Sequence, residues 1–408
     1  MTDTRNAAGP LQGIRVIDLT TVLMGPYATQ ILADYGADVI KVEPPEGDVM
    51  RKAAPMRHAD MSALHLQANR SKRSIVLDVK KPGGREALLR LAAKADVFIH
   101  NVRLSAMRRL RLAYEDLRAV NPRIVYASLI GYGEAGPYAG RPAYDDLIQG
   151  ISGLAMLFTY VGSEPRYVPL NVADRVVGLN AAHAVLAAVV HRERTGEGQA
   201  VDVPMFESMA QLVLGDHMGG RSFEPPLGDP GYGRLLTANR RPHRTRDGYV
   251  SVLVYNDRQW DALFRALGDT PLASDPRLAD HATRARHYDE IYGLLSEILA
   301  TRSTAEWVAL FEAHDIPCVV PHDLDSLIDD PHLAAVGFFE RMEHPTEGAL
   351  NIVGTPSRWS RSPPAAPRPA PRLGQHSVEI LREAGYGDAE IERLLAEGAT
   401  LDGQVPAH

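Results

Sequence analysis

Residues 13–43 read G-I-R-V-I-D-L-T-T-V-L-M-G-P-Y-A-T-Q-I-L-A-D-Y-G-A-D-V-I-K-V-E. The first seven residues (13–19) form an apolar run of strand length, and so do the last seven (37–43). Between them, Y-A-T-Q-I-L-A-D-Y (27–35) has the apolar spacing of a short helix. Strand, helix and strand in such close succession make a βαβ unit, whose two strands pair in parallel through a right-handed crossover.

The pattern repeats downstream. S-I-V-L-D-V (74–79), D-V-F-I-H (96–100) and R-I-V-Y-A-S-L (123–129) read as strands, separated by a helix after Pro82 and a helical stretch ending near Arg109. This alternation predicts an α/β protein with a Rossmann-like large domain around a parallel sheet. Composition changes after Val203. Residues 218–248 are rich in Gly, Pro and Arg and read as a linker. Y-V-S-V-L-V-Y (249–255) then predicts a strand, with helices at 259–267, 282–300 and 304–314, the last opened by a capping box from Ser303 to Glu306. Residues 249–332 are therefore expected to form a smaller α/β domain. The proline-rich stretch 362–371 should be extended, tethering two terminal helices rather than joining the core.

A chain of 408 residues is too long for one core. Its net charge of −7 offers no global attraction to nucleic acid or anionic membranes, so a polyanionic ligand would need a local basic cluster. The single Cys318 excludes an internal disulfide framework, fits a reducing compartment and, in D-I-P-C-V-V-P, reads as an inert buried thiol. M-T-D-T-R-N-A-A-G-P has no apolar leader segment, and no run approaches eighteen uninterrupted apolar residues, so a cytoplasmic protein is expected. The first βα turn has one glycine where a dinucleotide fingerprint needs three, which argues against NAD although the second strand ends on Glu43. There is no P-loop, no H-E-x-x-H and no Cys/His cluster, and no metal is expected. His183, inside an apolar helix, reads as a packed core histidine.

That helix carries the residue of greatest interest. Asp174 stands between P-L-N-V-A-D and R-V-V-G-L-N-A-A-H-A-V-L-A-A-V-V. It is expected to be the N-cap, kept ionised by the helix dipole. A carboxylate so placed serves as nucleophile, base or simple cap, and the local pattern leaves all three open. Basic residues cluster in N-R-S-K-R-S (69–74) and R-L-S-A-M-R-R-L-R (103–111). Each alone reads as a solvated surface, but both lie at loops of a βα architecture, which points to a phosphate-rich ligand.

Taken in order, the segments resemble the class III CoA-transferase family, which includes formyl-CoA:oxalate and carnitine CoA-transferases and the related α-methylacyl-CoA racemases. The resemblance rests on L-x-G-I-R-V-I-D-L-T, on G-P-Y-A-T-Q-I-L-A-D-Y-G-A-D-V-I-K-V-E-P-P-E-G-D, on N-R-S-K-R-S-I-V-L-D-V-K and on Y-E-D-L-R-A-V-N-P-R-I-V-Y-A-S. It continues through R-P-A-Y-D-D-L-I-Q-G, H-R-E-R-T-G-E-G-Q-A-V-D-V, D-G-Y-V-S-V, D-P-H-L-A-A-V-G-F-F and L-G-Q-H-S-V-E-I-L-R-E-A-G-Y, over nearly the whole length. Each motif is weak alone; the ordered set is specific.

The resemblance implies a large CoA-binding domain built from 1–217 and completed by a return segment and helices in 333–408, with the small domain between. It also implies an interlocked homodimer. Asp174 matches the family's nucleophile, which would carry coenzyme A as an aspartyl-CoA thioester between a donor acyl-CoA and an acceptor carboxylic acid. Coenzyme A is then a substrate moiety, and no tightly bound cofactor is implied. The CoA contacts carried over are Val22, Lys72, Arg73, Asn101, Val102 and Arg109. Pro44 and Pro142 stand where some members carry an Arg and a Lys, so those two contacts are absent or replaced. The glycine-run loop of the formyl-CoA enzymes is not visible in 218–248, which makes oxalate a poor guess. Tyr144 occupies the position of the racemases' proton-transferring His, and a tyrosine is a poor proton acceptor at neutral pH. A transferase is therefore expected over a racemase, with Tyr144 either orienting the substrate or packing. A non-catalytic CoA-binding protein is a third reading, one that would be favoured if Asp174 were missing.

Overall fold

Six strands form one parallel sheet in the computed structural model, which describes residues 9–268 and 271–403. They are β1 (Arg15–Leu19), β2 (Asp38–Glu43), β3 (Arg73–Val76), β4 (Val97–His100), β5 (Val125–Ile130) and β6 (Gln199–Pro204). Their order is β3-β2-β1-β4-β5-β6, every neighbouring pair parallel. Val16, Ile17, Val39, Ile40, Phe98 and Ile99 are fully buried, as expected for a parallel sheet covered on both faces. The sequence reading missed β6. Its first four residues alternate between half-exposed and exposed, and it ends on a proline, a pattern an edge strand tolerates and a central one does not.

The helices that place the site are α1 (Met24–Asp34), α2 (Pro82–Ala92), α3 (Leu104–Leu110), α4 (Asp145–Ile151) and α5 (Val172–Thr195). By length and a mean hydropathy of 1.4, α5 would pass for a membrane span. Instead Val177, Gly178, Ala181, Ala182 and Val185 are buried in the core, and the helix packs on α1, β5 and β6. Helix α1 approaches so closely that a Cβ on Gly178 would lie 2.8 Å from the Met24 carbonyl oxygen. His183 is exposed rather than packed, because it falls on the opposite side of α5 from that buried stripe.

The chain divides into two compact units. The large unit comprises Met1–Ser152, Val168–Gln211 and Ala334–His408, and the small one Gly153–Tyr167 and Leu212–Leu333. The expected bounds at residues 1–8 and 404–408 lie outside the described residues. Two further expectations are corrected. Residues 153–167 belong to the small unit, and 218–248 is not a linker, since β7 (His243–Arg244) pairs antiparallel with β8 (Tyr249–Val252). The small unit continues with α6 (Asp257–Leu267), α7 (Tyr288–Leu299), α8 (Thr304–Ala313) and β9 (Cys318–Val319), around a core of Trp260, Leu295, Trp307 and Phe311. The Ser303–Glu306 capping box is present. Cys318 is half-buried, and burial pushes its thiol above the ordinary value, away from the reactive thiolate.

The last stretch returns to the large unit through a hairpin that the sequence did not reveal, β10 (Phe339–His344) and β11 (Gly348–Val353). The proline-rich stretch is extended, but it joins the core. Prolines donate no backbone hydrogen bond yet keep their carbonyls as acceptors. The Pro371 carbonyl accepts from the Arg51 guanidinium at 3.3 Å, and that of Ala370 lies 2.9 Å from Nε2 of buried His344. Helices α9 (Ser377–Glu383) and α10 (Asp388–Ala396) then bring Ile380, Leu381, Ile391 and Leu394 into the core that holds Ile75, Leu77 and Leu88.

Candidate active site

The sheet order reverses between β1 and β4, and in open parallel sheets the crevice beyond the strand ends at such a reversal is where ligands bind. In the large unit, a cleft of about 440 Å³ opens there. Its walls come from the turn after β1 (Thr21, Val22), the loop and helix after β4 (Asn101 to Arg108), the segment after β5 (Gly131 to Asp145) and the first turn of α5 (Asp174).

The turn after β1 is held from below by a buried polar network. Both Asp18 oxygens are engaged: one accepts from the Thr20 N–H and hydroxyl, the other from the Thr29 hydroxyl and from Lys72 Nζ at 3.1 Å. Burial opposes the charge on Asp18, but Lys72, Lys41 and the two hydroxyls outweigh it and hold the carboxyl below its ordinary value. Lys41 reaches the Thr20 carbonyl and Asp48, and Asp48 accepts the Val22 N–H at 3.1 Å. Val22 sits at φ +70°, a left-handed conformation unfavourable for a β-branched residue, and persists because these bonds fix it. Asn101 completes the clamp: its oxygen accepts the Thr21 N–H at 3.0 Å, and its amide donates to the Thr21 carbonyl at 2.8 Å.

Several expected CoA contacts are therefore placed elsewhere. Lys72 and Arg73 are buried and do not line the cleft. Lys72 serves Asp18, while Arg73 pairs with Asp38, Glu379 and Glu383. Arg70, just before them in the sequence run, pairs with Asp34. The run N-R-S-K-R-S is thus not a solvated surface: its three cations are all held in ion pairs, because Asp18, Asp34 and Asp38 each lie within reach of one. Asn101 lines the cleft with its amide committed to Thr21. Arg109 is exposed and outside the lining; its neighbour Arg108, also exposed and paired with Glu134 at 3.3 Å, lines the cleft together with Arg103, the N-cap of α3. Val22 and Val102 do line the cleft. Glu43, which a dinucleotide site would need free for a ribose, is fully buried and bound twice by Arg51 at 2.7 Å. His100 closes β4, but burial pushes it down to about 4, leaving a neutral ring unsuited to acid–base work.

The opposite wall begins where β5 ends. A Cβ on Gly131 would lie 2.4 Å from that of Ala143, so the glycine admits the segment that carries Arg141, Pro142 and Tyr144. Tyr144 is 67% exposed and sits at the N-cap of α4. The Arg141 guanidinium lies over the Tyr138 ring at 4.5 Å, beside Pro142 where the expected lysine is missing. Asp174 differs from expectation. Asn171 holds the N-cap position of α5, and Asp174 is its third residue, with its N–H donated to Asp145 Oδ1 at 2.9 Å. Its carboxylate accepts no hydrogen bond among the described residues. Burial, and then the neighbouring Asp145, push it up to about 6 against the pull of Arg175. The cleft thus presents a half-buried carboxylate of raised basicity, and Tyr144, Arg103, Arg108 and Arg141 line the same cleft.

The family model for CoA-transferase family III matches residues 11–377. The chain belongs to that family. A succinate–glutarate CoA-transferase of Agrobacterium fabrum is 36% identical over 94% of this chain and 98% of its own length. The human succinyl-CoA:glutarate CoA-transferase is 31% identical over 96% and 90%. The crystal structure of Rv3272 from Mycobacterium tuberculosis superposes with a TM-score of 0.79 at 30% identity, covering 92% of this chain and all of that one. Membership of CoA-transferase family III implies acyl-CoA and carboxylic acid substrates. The sequence reading passed over Arg103, Arg108, Arg141 and Asp145 as contributors to the cleft. Arg103 and Arg108 were visible inside the second basic run, whereas nothing in the sequence pairs Asp145 with a backbone group 29 residues away.

Proposed function

We propose that this protein transfers coenzyme A from a donor thioester to a carboxylic acid through a covalent thioester on Asp174. The observation that carries the reading is Asp174 itself, a cleft-lining carboxylate made more basic by burial and, among the described residues, accepting no hydrogen bond that would blunt it. Its oxygen attacks the donor carbonyl, the C–S bond breaks, and a mixed anhydride and CoA thiolate result. The thiolate attacks the aspartyl carbonyl, the anhydride C–O bond breaks, and the donor acid leaves. The acceptor carboxylate then attacks aspartyl-CoA, regenerating thiolate and a new anhydride. Thiolate attack on the acceptor acyl carbon releases the product and restores Asp174. A serine or cysteine would keep the acyl group instead of coenzyme A, which is why the chemistry calls for a carboxylate.

Short dicarboxylic acids with succinyl-CoA as donor are the proposed substrates. The glutarate specificity in the names of the two relatives supports this, as do the three arginines of the cleft, which would meet CoA phosphates and a distal carboxylate. Arg141 is the proposed replacement for the missing lysine at Pro142. Incubation with succinyl-CoA and no acceptor should add coenzyme A to the peptide holding Asp174, and glutarate should discharge it; a succinylated protein instead would overturn the mechanism.

The nucleophile must be ionised, so kcat/KM should fall with unit slope as pH drops through about 6 and be flat above it. An acid limb near 4 would show that the cleft does not raise Asp174. We further propose a cytoplasmic, interlocked homodimer. Leu179 and Val190, 41% and 48% exposed on α5, support burial of this apolar helix against a second copy. Sedimentation should therefore find dimers at every concentration down to nanomolar; folded monomers at micromolar protein would exclude interlocking.

A further inference from the structure

Asp145 is the residue that the mechanism above leaves unused, although it lines the same cleft as Asp174. It opens α4, yet its Oδ1 accepts the backbone N–H of Asp174 in α5, 29 residues further on, at 2.9 Å. Its Oδ2 accepts from Gln149 Nε2 at 2.7 Å, one turn along α4. Gln149 is 1% exposed, and its own oxygen accepts the Val168 N–H at 2.8 Å. Val168, Gln149, Asp145 and Asp174 thus form a chain of hydrogen bonds that fixes both ends of residues 168–174, the segment that delivers the nucleophile.

We propose that Asp145 is a positioning residue, which anchors the first turn of α5 and keeps an unbalanced negative charge beside the Asp174 carboxylate. A simple anchor would not need that charge, since Asn or Ser would accept the same N–H. A carboxylate does something more. It repels the free, anionic Asp174, and the repulsion disappears once Asp174 becomes a neutral anhydride or thioester. Each covalent step out of the resting state is thereby favoured, and the carboxylate is kept basic. Arg175, the nearest cation in sequence, does not cancel the effect: its guanidinium is turned onto the Tyr27 ring at 4.3 Å, and burial and Asp145 outweigh it.

This inference rests on Asp174 being the nucleophile, and the experiment separates the two claims. Asp145→Asn, Asp145→Ala and Asp174→Asn are compared with the parent enzyme for coenzyme A adduct formation from succinyl-CoA and for the pH profile of kcat/KM, with thermal melts to establish folding. Asp145→Asn keeps an acceptor for the Asp174 N–H, so it should fold. Its acid limb should move down from about 6 by part of the distance to the ordinary 3.8, since burial still raises Asp174, and adduct formation at pH 7 should slow about threefold as nucleophilicity falls with basicity. Asp145→Ala should show the same limb shift and lose about 100-fold in kcat as the segment loosens. An acid limb unmoved in Asp145→Asn, or full kcat in Asp145→Ala, would overturn the proposal while leaving the nucleophile in place. Activity retained by Asp174→Asn would overturn the nucleophile instead, whatever Asp145 does.

Discussion

Asp174→Asn is expected to lose CoA transfer by roughly four orders of magnitude or more, as when other covalent nucleophiles are removed, and at the same time to melt higher than the parent protein. The first effect follows because an amide forms no anhydride. The second follows from the raised carboxyl. In the fold Asp174 holds its proton to about 6, whereas an ordinary carboxyl releases it at 3.8. The folded state therefore binds the proton more tightly, and stability grows as pH falls from 6 to 3.8. Above pH 6 the ionised carboxylate destabilises the fold in full. Asn removes that charge at neutral pH, and a gain of 1 kcal/mol would raise Tm by about 2–4 °C. Asp174→Ala should be equally inactive without the loss of an N-cap, since Asn171 holds that position. The measurements are calorimetry at pH 7.5 and pH 4.5 and steady-state turnover. An inactive Asp174→Asn protein that melts lower than the parent would mean that the carboxylate stabilises its own site.

Asp18→Ala should cost about 3–5 kcal/mol of folding stability, the usual price of breaking a buried ion pair from one side. Lys72 and Asp18 have no exposed side-chain surface, and removing the acid leaves the ammonium with only the Pro26 carbonyl and the Asn69 side chain. Urea unfolding should show a lower midpoint at unchanged m. A double variant, Asp18→Leu with Lys72→Met, should recover much of the loss, because no charge is then stranded. It should still bind substrate poorly, because the Thr20 N–H loses its acceptor and the strained Val22 turn loses its footing. A midpoint within about 0.5 kcal/mol of the parent, the range of a surface substitution, would show that the network under the turn is dispensable.

The strands β1 to β5, the helices α1 to α3 and the small unit's capping box were legible because each is local: apolar runs of fixed period, bounded by turn residues or caps. β6 and the β10–β11 hairpin were not, because both lie where half of each strand faces outward and the alternation is diluted by polar residues. The nucleophile was legible through its motif, but its environment was not. A helix start is a local signal, whereas burial in the cleft is tertiary and the carboxylate that adds to its effect arrives from α4, 29 residues earlier. The basic run at 69–74 misled for the complementary reason. A sequence shows charges but not their partners, and Asp18, Asp34 and Asp38 come from other strands and helices. The proline stretch misled because missing N–H groups were read as missing hydrogen bonds, when its carbonyls still accept from Arg51 and His344.

The discontinuous large unit also has a schedule. Thr400 Oγ1 donates to the Val76 carbonyl across a separation of 324 residues. Helices α9 and α10, which complete the hydrophobic cluster around Ile75 and Leu88, therefore leave a ribosome long after β3 does. At about 5–20 residues per second, β3 waits roughly 16–65 s for them. Meanwhile the small unit, whose residues end at Leu333, is already complete and has its own core. During synthesis this chain carries a finished insert inside an unfinished host, with one flank of a parallel sheet uncovered. That interval, rather than the stability of the mature enzyme, is when it would depend most on a chaperone that shields apolar strands.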